Sequence, residues 1–306
     1  MRTEKTQSVL LIGVRNAGKT NFLSRLWLAL DAGRGLLAKN GNPLDIEYIA
    51  TGADYLLKGE FAPRTPPDVR DATEIPVKST FPKNKFFGTL VVPDLPGEQI
   101  LSVFQTRQWN AEWENRIDQG CGCLLFVRVD SPELIAPLDW VACHHIMRGM
   151  LPAQVETDAT DTAKPPTQIV LVDWLQFLRK AFTERVGGTH KPRVGIVVAA
   201  WDLAPNEQKA NGPRAWVASN LSLLSQFIQA NDDEFDFQYF GVSVASGDLN
   251  SDEDFKKAYM DGNPRTAGQV THYLSGAVEM SSDMTLPVAW ALGIVDPNLL
   301  GSARKR

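Results

Sequence analysis

Ser8-Val9-Leu10-Leu11-Ile12-Gly13-Val14-Arg15-Asn16-Ala17-Gly18-Lys19-Thr20 decides how this chain folds. Its first part, Ser8 to Ile12, is an apolar run that stops at Gly13, the pattern of a strand buried on both faces. Its second part satisfies G-x-x-x-x-G-K-[ST]. Phe22, Leu23, Leu26 and Leu30 then recur at helical spacing, and Gly33 and Gly35 supply a stop. Buried strand, Gly-rich turn and amphipathic helix, in that order, make a phosphate-binding loop. Gly13 and Gly18 free the backbone to curl around an anion, so that the N–H groups of Arg15, Asn16, Ala17 and Gly18 turn inward. The helix that follows adds its positive end. Lys19 sets a compact charge against terminal phosphates, and the Thr20 hydroxyl suits magnesium. A Gly-rich turn with a solvated lysine would leave the octapeptide unexplained.

Composition is consistent with an ordinary soluble globular protein. The chain has 306 residues, and its 31 Lys+Arg against 36 Asp+Glu offer no broad electrostatic case for binding nucleic acid or an anionic membrane surface. No apolar run approaches the ~20 residues of a spanning helix. Cys121, Cys123 and Cys143 match no zinc spacing, and reduced thiols in a cytoplasmic setting are the expectation.

Further buried-strand runs occur at Cys123 to Val129 and Val194 to Ala200, each followed closely by an Asp. Thr73 to Phe81 and Phe86 to Val92 read as two strands around a turn at Pro82 to Lys85, and Gln238 to Val244 as a last strand. Helices are expected around Ala50 to Lys58, on the face shared by Trp174, Leu178 and Phe182, and around Pro213 to Ala230. Ala62 to Pro67, Gln154 to Thr167 and the acidic stretch Asp248 to Asn263 read as loops. Strands alternating with helices predict an α/β fold: a mostly parallel sheet with helices on both faces. One domain over residues 1–306 is expected, with insertions at 141–166 and 248–284.

Leu90-Val91-Val92-Pro93-Asp94-Leu95-Pro96-Gly97-Glu98 places Asp-x-x-Gly at the end of an apolar strand. A carboxylate there can hold a magnesium-bound water, and a Gly three residues on lets a backbone N–H approach a γ-phosphate. Together with the phosphate loop, this resembles the signature of the translation-factor-like (TRAFAC) class of P-loop GTPases, which includes the Ras-like small GTPases. The resemblance implies GTP and Mg²⁺ as ligands. Asp202, in Val198-Ala199-Ala200-Trp201-Asp202, stands where that class has the Asp of Asn/Thr-Lys-x-Asp, whose carboxylate accepts two N–H bonds from guanine. Ala199 and Ala200 depart from the motif, so guanine selection would rest on Asp202, with Trp201 covering the base and ATP as the competing nucleotide. Ser243-Val244-Ala245-Ser246-Gly247 resembles the Ser-Ala-Lys-type loop, which places Ser246 against the base.

The resemblance also implies a switch threonine that reaches magnesium, and two compete. Thr65 ends Gly59-Glu60-Phe61-Ala62-Pro63-Arg64-Thr65, similar to a stretch in larger bacterial relatives that include the double-GTPases. Thr73 has Arg70 three positions before it, a spacing similar to heterotrimeric G-protein α subunits. Thr285 to Leu292 is similar to the C-terminal helix of the bacterial relatives. Asn16 stands where potassium-stimulated members of the class carry an Asn, which implies K⁺ as a further ligand. Glu98 occupies the place of the water-orienting Gln.

His144 and His145 point about 100° apart on a helix and make no chelating pair. The reading is therefore a GTP-controlled switch with slow Mg²⁺-dependent hydrolysis through Lys19, Glu98 and Asn16, acting on a protein effector or activating partner. A nucleotide-binding scaffold without turnover, in a bacterial defence or stress assembly, is the alternative. A small-molecule ATP-dependent kinase is a third, disfavoured by Asp-x-x-Gly and by the lack of an Arg-rich lid.

Overall fold

Val9, Leu10, Leu11 and Ile12 are buried because they form the centre of a sheet, as strand β1 (Gln7–Ile12). The computed structural model describes residues 7–41, 43, 46–62, 73–81, 87–92, 97–108, 122–132, 134, 165–185 and 191–295. Along them run α1 (Lys19–Ala32), β2 (Leu37–Lys39), α2 (Glu47–Leu57), β3 (Thr73–Ser79), β4 (Phe87–Val92), α3 (Gly97–Thr106) and β5 (Gly122–Arg128). Then come α4 (Thr167–Arg185), β6 (Arg193–Ala199), a 3₁₀ turn (Trp201–Leu203), α5 (Asn206–Asn220), α6 (Ser222–Ala230) and β7 (Asp236–Ser243). The last are α7 (Glu253–Asp261), β8 (Gln269–Leu274), β9 (Ala277–Ser281) and α8 (Leu286–Ala291).

The strand order is β2-β3-β4-β1-β5-β6-β7-β8-β9. The five central strands, β4 to β7, are parallel, as the continuous apolar runs required, while β2–β3 and β8–β9 add antiparallel edges. Arg128, Ala199 and Val242 form one row across the carboxyl ends of β5, β6 and β7. In open α/β sheets ligands bind beyond those ends. Gly122 and Phe126 share a face of β5, against Ala291 of α8 and Phe22 of α1, so these two helices cover the same side of the sheet.

Three expectations are corrected. The single helix over Pro213 to Ala230 is two, because Leu221 (φ -132°, ψ 57°) leaves helical geometry between α5 and α6, and Gly212 (φ 80°, ψ 172°) kinks α5 just before that stretch. Asp248 to Asn263 is not a plain loop, since Asp252 caps α7 by accepting from the Phe255 N–H at 2.8 Å and acidic residues fill the first turn. Gln238 to Val244 is not the last strand. Ser275 (φ 50°) and Gly276 (φ 84°) form a tight turn that joins β8 to β9.

The helix α7 and the stretch after it are tied to α1 through Arg25, a fully buried cation. Arg25 donates to the Pro264 carbonyl and, at 2.6 Å, to the Tyr259 hydroxyl, which itself donates to the Leu56 carbonyl of α2 at 2.9 Å. Desolvation pulls the Arg25 pKa below its usual value, against the opposing effect of Tyr259. The segment 141–164, with His144 and His145, lies outside the described residues.

Candidate functional site

The phosphate loop is closed by packing as well as by conformation. Gly18 is left-handed (φ 91°), and a Cβ on it would stand 2.9 Å from the Ala199 Cβ. A Cβ on Gly13 would meet the Phe126 carbonyl oxygen at 2.8 Å. Both distances are too short for any side chain, so the loop lies against the ends of β5 and β6. Asn16 also has positive φ (62°) and is exposed, and Asn tolerates that region better than most residues. Arg15 is exposed, while Val14 and Ala17 are buried and hold the turn through Ala17 N–H to Val14 O at 3.2 Å.

Lys19 Nζ donates to the Gly13 carbonyl at 2.5 Å and the Val14 carbonyl at 3.3 Å, which arches its stem over the loop it would serve. The N-cap of α1 is Gly18, which has no side chain to bond the first amides of the helix, and those amides face the turn as at any helix N-terminus. Glycines that exclude a Cβ, an arched Lys19 and Thr20 at the first turn fit a magnesium-bound triphosphate.

Tyr48, in the first turn of α2, donates from its phenol to Thr20 Oγ1 at 2.6 Å. Asn21 Oδ1 accepts the Ala62 N–H at 3.0 Å, and Gly52 lies so close to Ser24 that a Cβ would fall 2.1 Å from its Oγ. The helix α2 is thus held against the start of α1. Sequence patterning missed Tyr48, because a single aromatic at a helix start belongs to no spacing rule.

Thr73 opens β3 and is paired with Val92, the last residue of β4, which brings it beside the strand end that leads to Asp94. Thr65, Arg64, Arg70 and Asp94 lie outside the described residues. Gly97 and Glu98 begin α3, and the Glu98 side chain is not among those described.

At the other end of the site, Asp202 sits half-buried in the 3₁₀ turn after β6, whose entry residue Ala200 is left-handed (φ 54°). Lys209 Nζ donates to the Asp202 carbonyl at 2.6 Å and steadies the turn. Trp201 is only 4% exposed, and a Cβ on Gly241 would stand 2.6 Å from its ring, so the indole packs on β7. Ser246 is half-buried and left-handed (φ 67°) in the turn after β7. The Arg128 guanidinium, level with Ala199, forks onto Asp130 from Nε at 2.5 Å and Nη2 at 3.1 Å. That hydrogen bond holds the Asp130 carboxyl below its usual range. Arg128 also lies in the fields of Asp202 and Asp248. It was readable only as a lone charge ending an apolar strand.

Residues 10–291 match the family Double-GTPase 1. The chain belongs to that family. It is a P-loop GTPase of the double-GTPase type, and guanine-nucleotide binding with Mg²⁺ goes with the family in general. No curated protein matches the chain. Among solved structures, the signal recognition particle receptor SRb-GTP/SRX complex from Chaetomium thermophilum is similar at 15% identity and a TM-score of 0.39, over 84% of this chain and 100% of that one. Among the described residues of this double-GTPase, no helix is long and apolar enough to cross a membrane.

Proposed function

We propose that this double-GTPase is a nucleotide-controlled switch that binds GTP at Gly13 to Thr20, hydrolyses it slowly, and signals the nucleotide state to a protein effector or activating partner within a single domain. The observation that carries this reading is the phosphate loop: two glycines with no room for a Cβ, and Lys19 arched over the turn. Lys19 would bind the terminal phosphates, Thr20 with Asp94 and either Thr65 or Thr73 would hold magnesium, and Asp202 with the turn at Ser246 would take the base. Bound magnesium would neutralise charge on the phosphate oxygens. Glu98 would orient the attacking water, poorly, because a carboxylate near a γ-phosphate is repelled by it.

Titration calorimetry with GTP and ATP on the wild type and Lys19→Ala tests the reading. GTP should bind more tightly than ATP, and Lys19→Ala should lose GTP while keeping the fold by circular dichroism. Equal GTP affinity in the variant would overturn it. The Glu98 carboxylate favours the scaffold alternative, and multiple-turnover phosphate release separates the two.

A further inference from the structure

Ala199 leaves the base without the side chain that the corresponding Asn or Thr would offer, and the residue level with Ala199 on the neighbouring strand is Arg128. The two strands stay paired to their ends, since Val129 N–H donates to the Ala199 carbonyl at 3.1 Å. Asp202 follows Ala199 by three residues on one side, and Asp248 follows the turn after β7 on the other. Both carboxylates act electrostatically on Arg128.

The guanidinium is held in a defined orientation. The fork onto Asp130 uses Nε and one N–H of Nη2, and leaves Nη1 with no hydrogen bond among the described residues. Nη1 and the second N–H of Nη2 form the end-on pair of donors. The side chain is 37% exposed, so a ligand can reach it. Lys209, in the first part of the following helix α5, is bonded to the Asp202 carbonyl.

Guanine presents two adjacent acceptors, N7 and O6, on the edge next to its N1–H, and Arg matches that pair end-on. Adenine presents N7 beside an N6 donor, which Arg cannot satisfy. We propose that Arg128 is a specificity-determining residue for the base: it donates to guanine N7 and O6 while Asp202 accepts from N1–H and the exocyclic amine on the adjoining edge. This rests on the reading of the site as a GTP site. Asp130 acts as a positioning residue that aims the guanidinium.

Titration calorimetry of the full chain with GTP, 7-deaza-GTP and ATP, in magnesium, tests the assignment on the wild type, Arg128→Ala and Arg128→Met. The Met variant keeps the length of the stem without a donor, and circular dichroism checks both folds. The wild type should bind 7-deaza-GTP about tenfold more weakly than GTP, and in either variant the two should bind equally, with the preference for GTP over ATP reduced by about 5- to 150-fold. A wild type that binds GTP and 7-deaza-GTP alike, or variants that keep the difference, would overturn the role of Arg128 while leaving the GTP site standing. A wild type with no preference for GTP over ATP would overturn the guanine reading itself, and Arg128 with it.

Discussion

The Tyr48 hydroxyl donates to Thr20 Oγ1 at 2.6 Å, which ties the first turn of α2 to the residue that closes the phosphate loop. The bond fixes the Thr20 side chain in one direction before any metal arrives. A phenol donates through its O–H and leaves Thr20 able to offer a lone pair elsewhere. Tyr48→Phe should therefore cost about 1 kcal/mol in stability by denaturant unfolding, the usual net worth of one such bond. It should also raise the Mg²⁺ concentration needed for half-maximal GTP binding, while binding in excess EDTA stays unchanged. An equal loss in both conditions would make Tyr48 a packing residue only.

Gly18 carries two constraints that can be separated. Gly18→Ala meets both a left-handed φ, which costs an L-residue about 1–2 kcal/mol, and the Ala199 methyl at 2.9 Å. Ala199→Gly removes the second constraint and leaves the first. The double variant should therefore recover part of the stability lost in Gly18→Ala, and GTP affinity should recover less, because the turn remains strained. Full recovery in denaturant unfolding would show that the clash alone mattered.

Much of this fold was legible because a parallel sheet writes itself as continuous apolar runs, and β1, β5 and β6 are such runs. The phosphate loop was legible because its backbone demands glycine at set positions. The edges were not. Strand β2 is three residues long, too short for periodicity to show, and the β8–β9 turn uses Ser275-Gly276, where Asn-Gly or Asp-Gly would have announced it. The packing of Trp201 against Gly241 was not legible, because a motif gives position but not side-chain direction. Tyr48 meets Thr20, and Arg128 stands level with Ala199, across elements far apart in sequence, so no local window holds either pair.

Arg25 anchors the 248–264 stretch from inside α1 and depends on few partners. Its Nε has no hydrogen bond among the described residues. Tyr259→Phe removes the hydroxyl that accepts from Nη2 and leaves a buried cation short of a partner, which should cost about 1–3 kcal/mol. Arg25→Met removes the charge along with its demand for partners. In a double-mutant cycle by denaturant unfolding, Tyr259→Phe should cost less in the Arg25→Met background than in the wild type. Additive losses would mean that the two side chains do not depend on one another.

Asp130 predicts a pH effect. The hydrogen bond from Arg128 lowers its pKa below the unfolded value, so its contribution to stability is present above that unfolded value and is lost as pH falls through the folded one. The wild type should lose stability on acidification below about pH 4, and Asp130→Asn should have a flatter acid limb with lower stability at neutral pH. The pair is part-exposed, so the difference should be small and should shrink in high salt. Parallel acid limbs for the two proteins would refute the coupling.

Asn16 has two possible duties, and the left-handed φ of 62° allows them to be told apart. As a turn residue it only needs to tolerate that conformation, which glycine does better and alanine worse. As a cation ligand it needs its carboxamide oxygen, which both substitutions delete. Stability should follow the first duty: Asn16→Ala should lose roughly 1 kcal/mol relative to Asn16→Gly. Turnover should follow the second. With a Glu at position 98, basal phosphate release is expected to be low, and a monovalent cation beside the phosphates would supply the missing positive charge. The wild type should then hydrolyse GTP faster in potassium than in sodium at matched ionic strength, and both variants should show equal rates in the two salts, including the well-folded Asn16→Gly. Equal rates in the wild type would leave Asn16 as a turn residue and move the search for positive charge to Arg64, Arg70 or an arginine supplied by a partner.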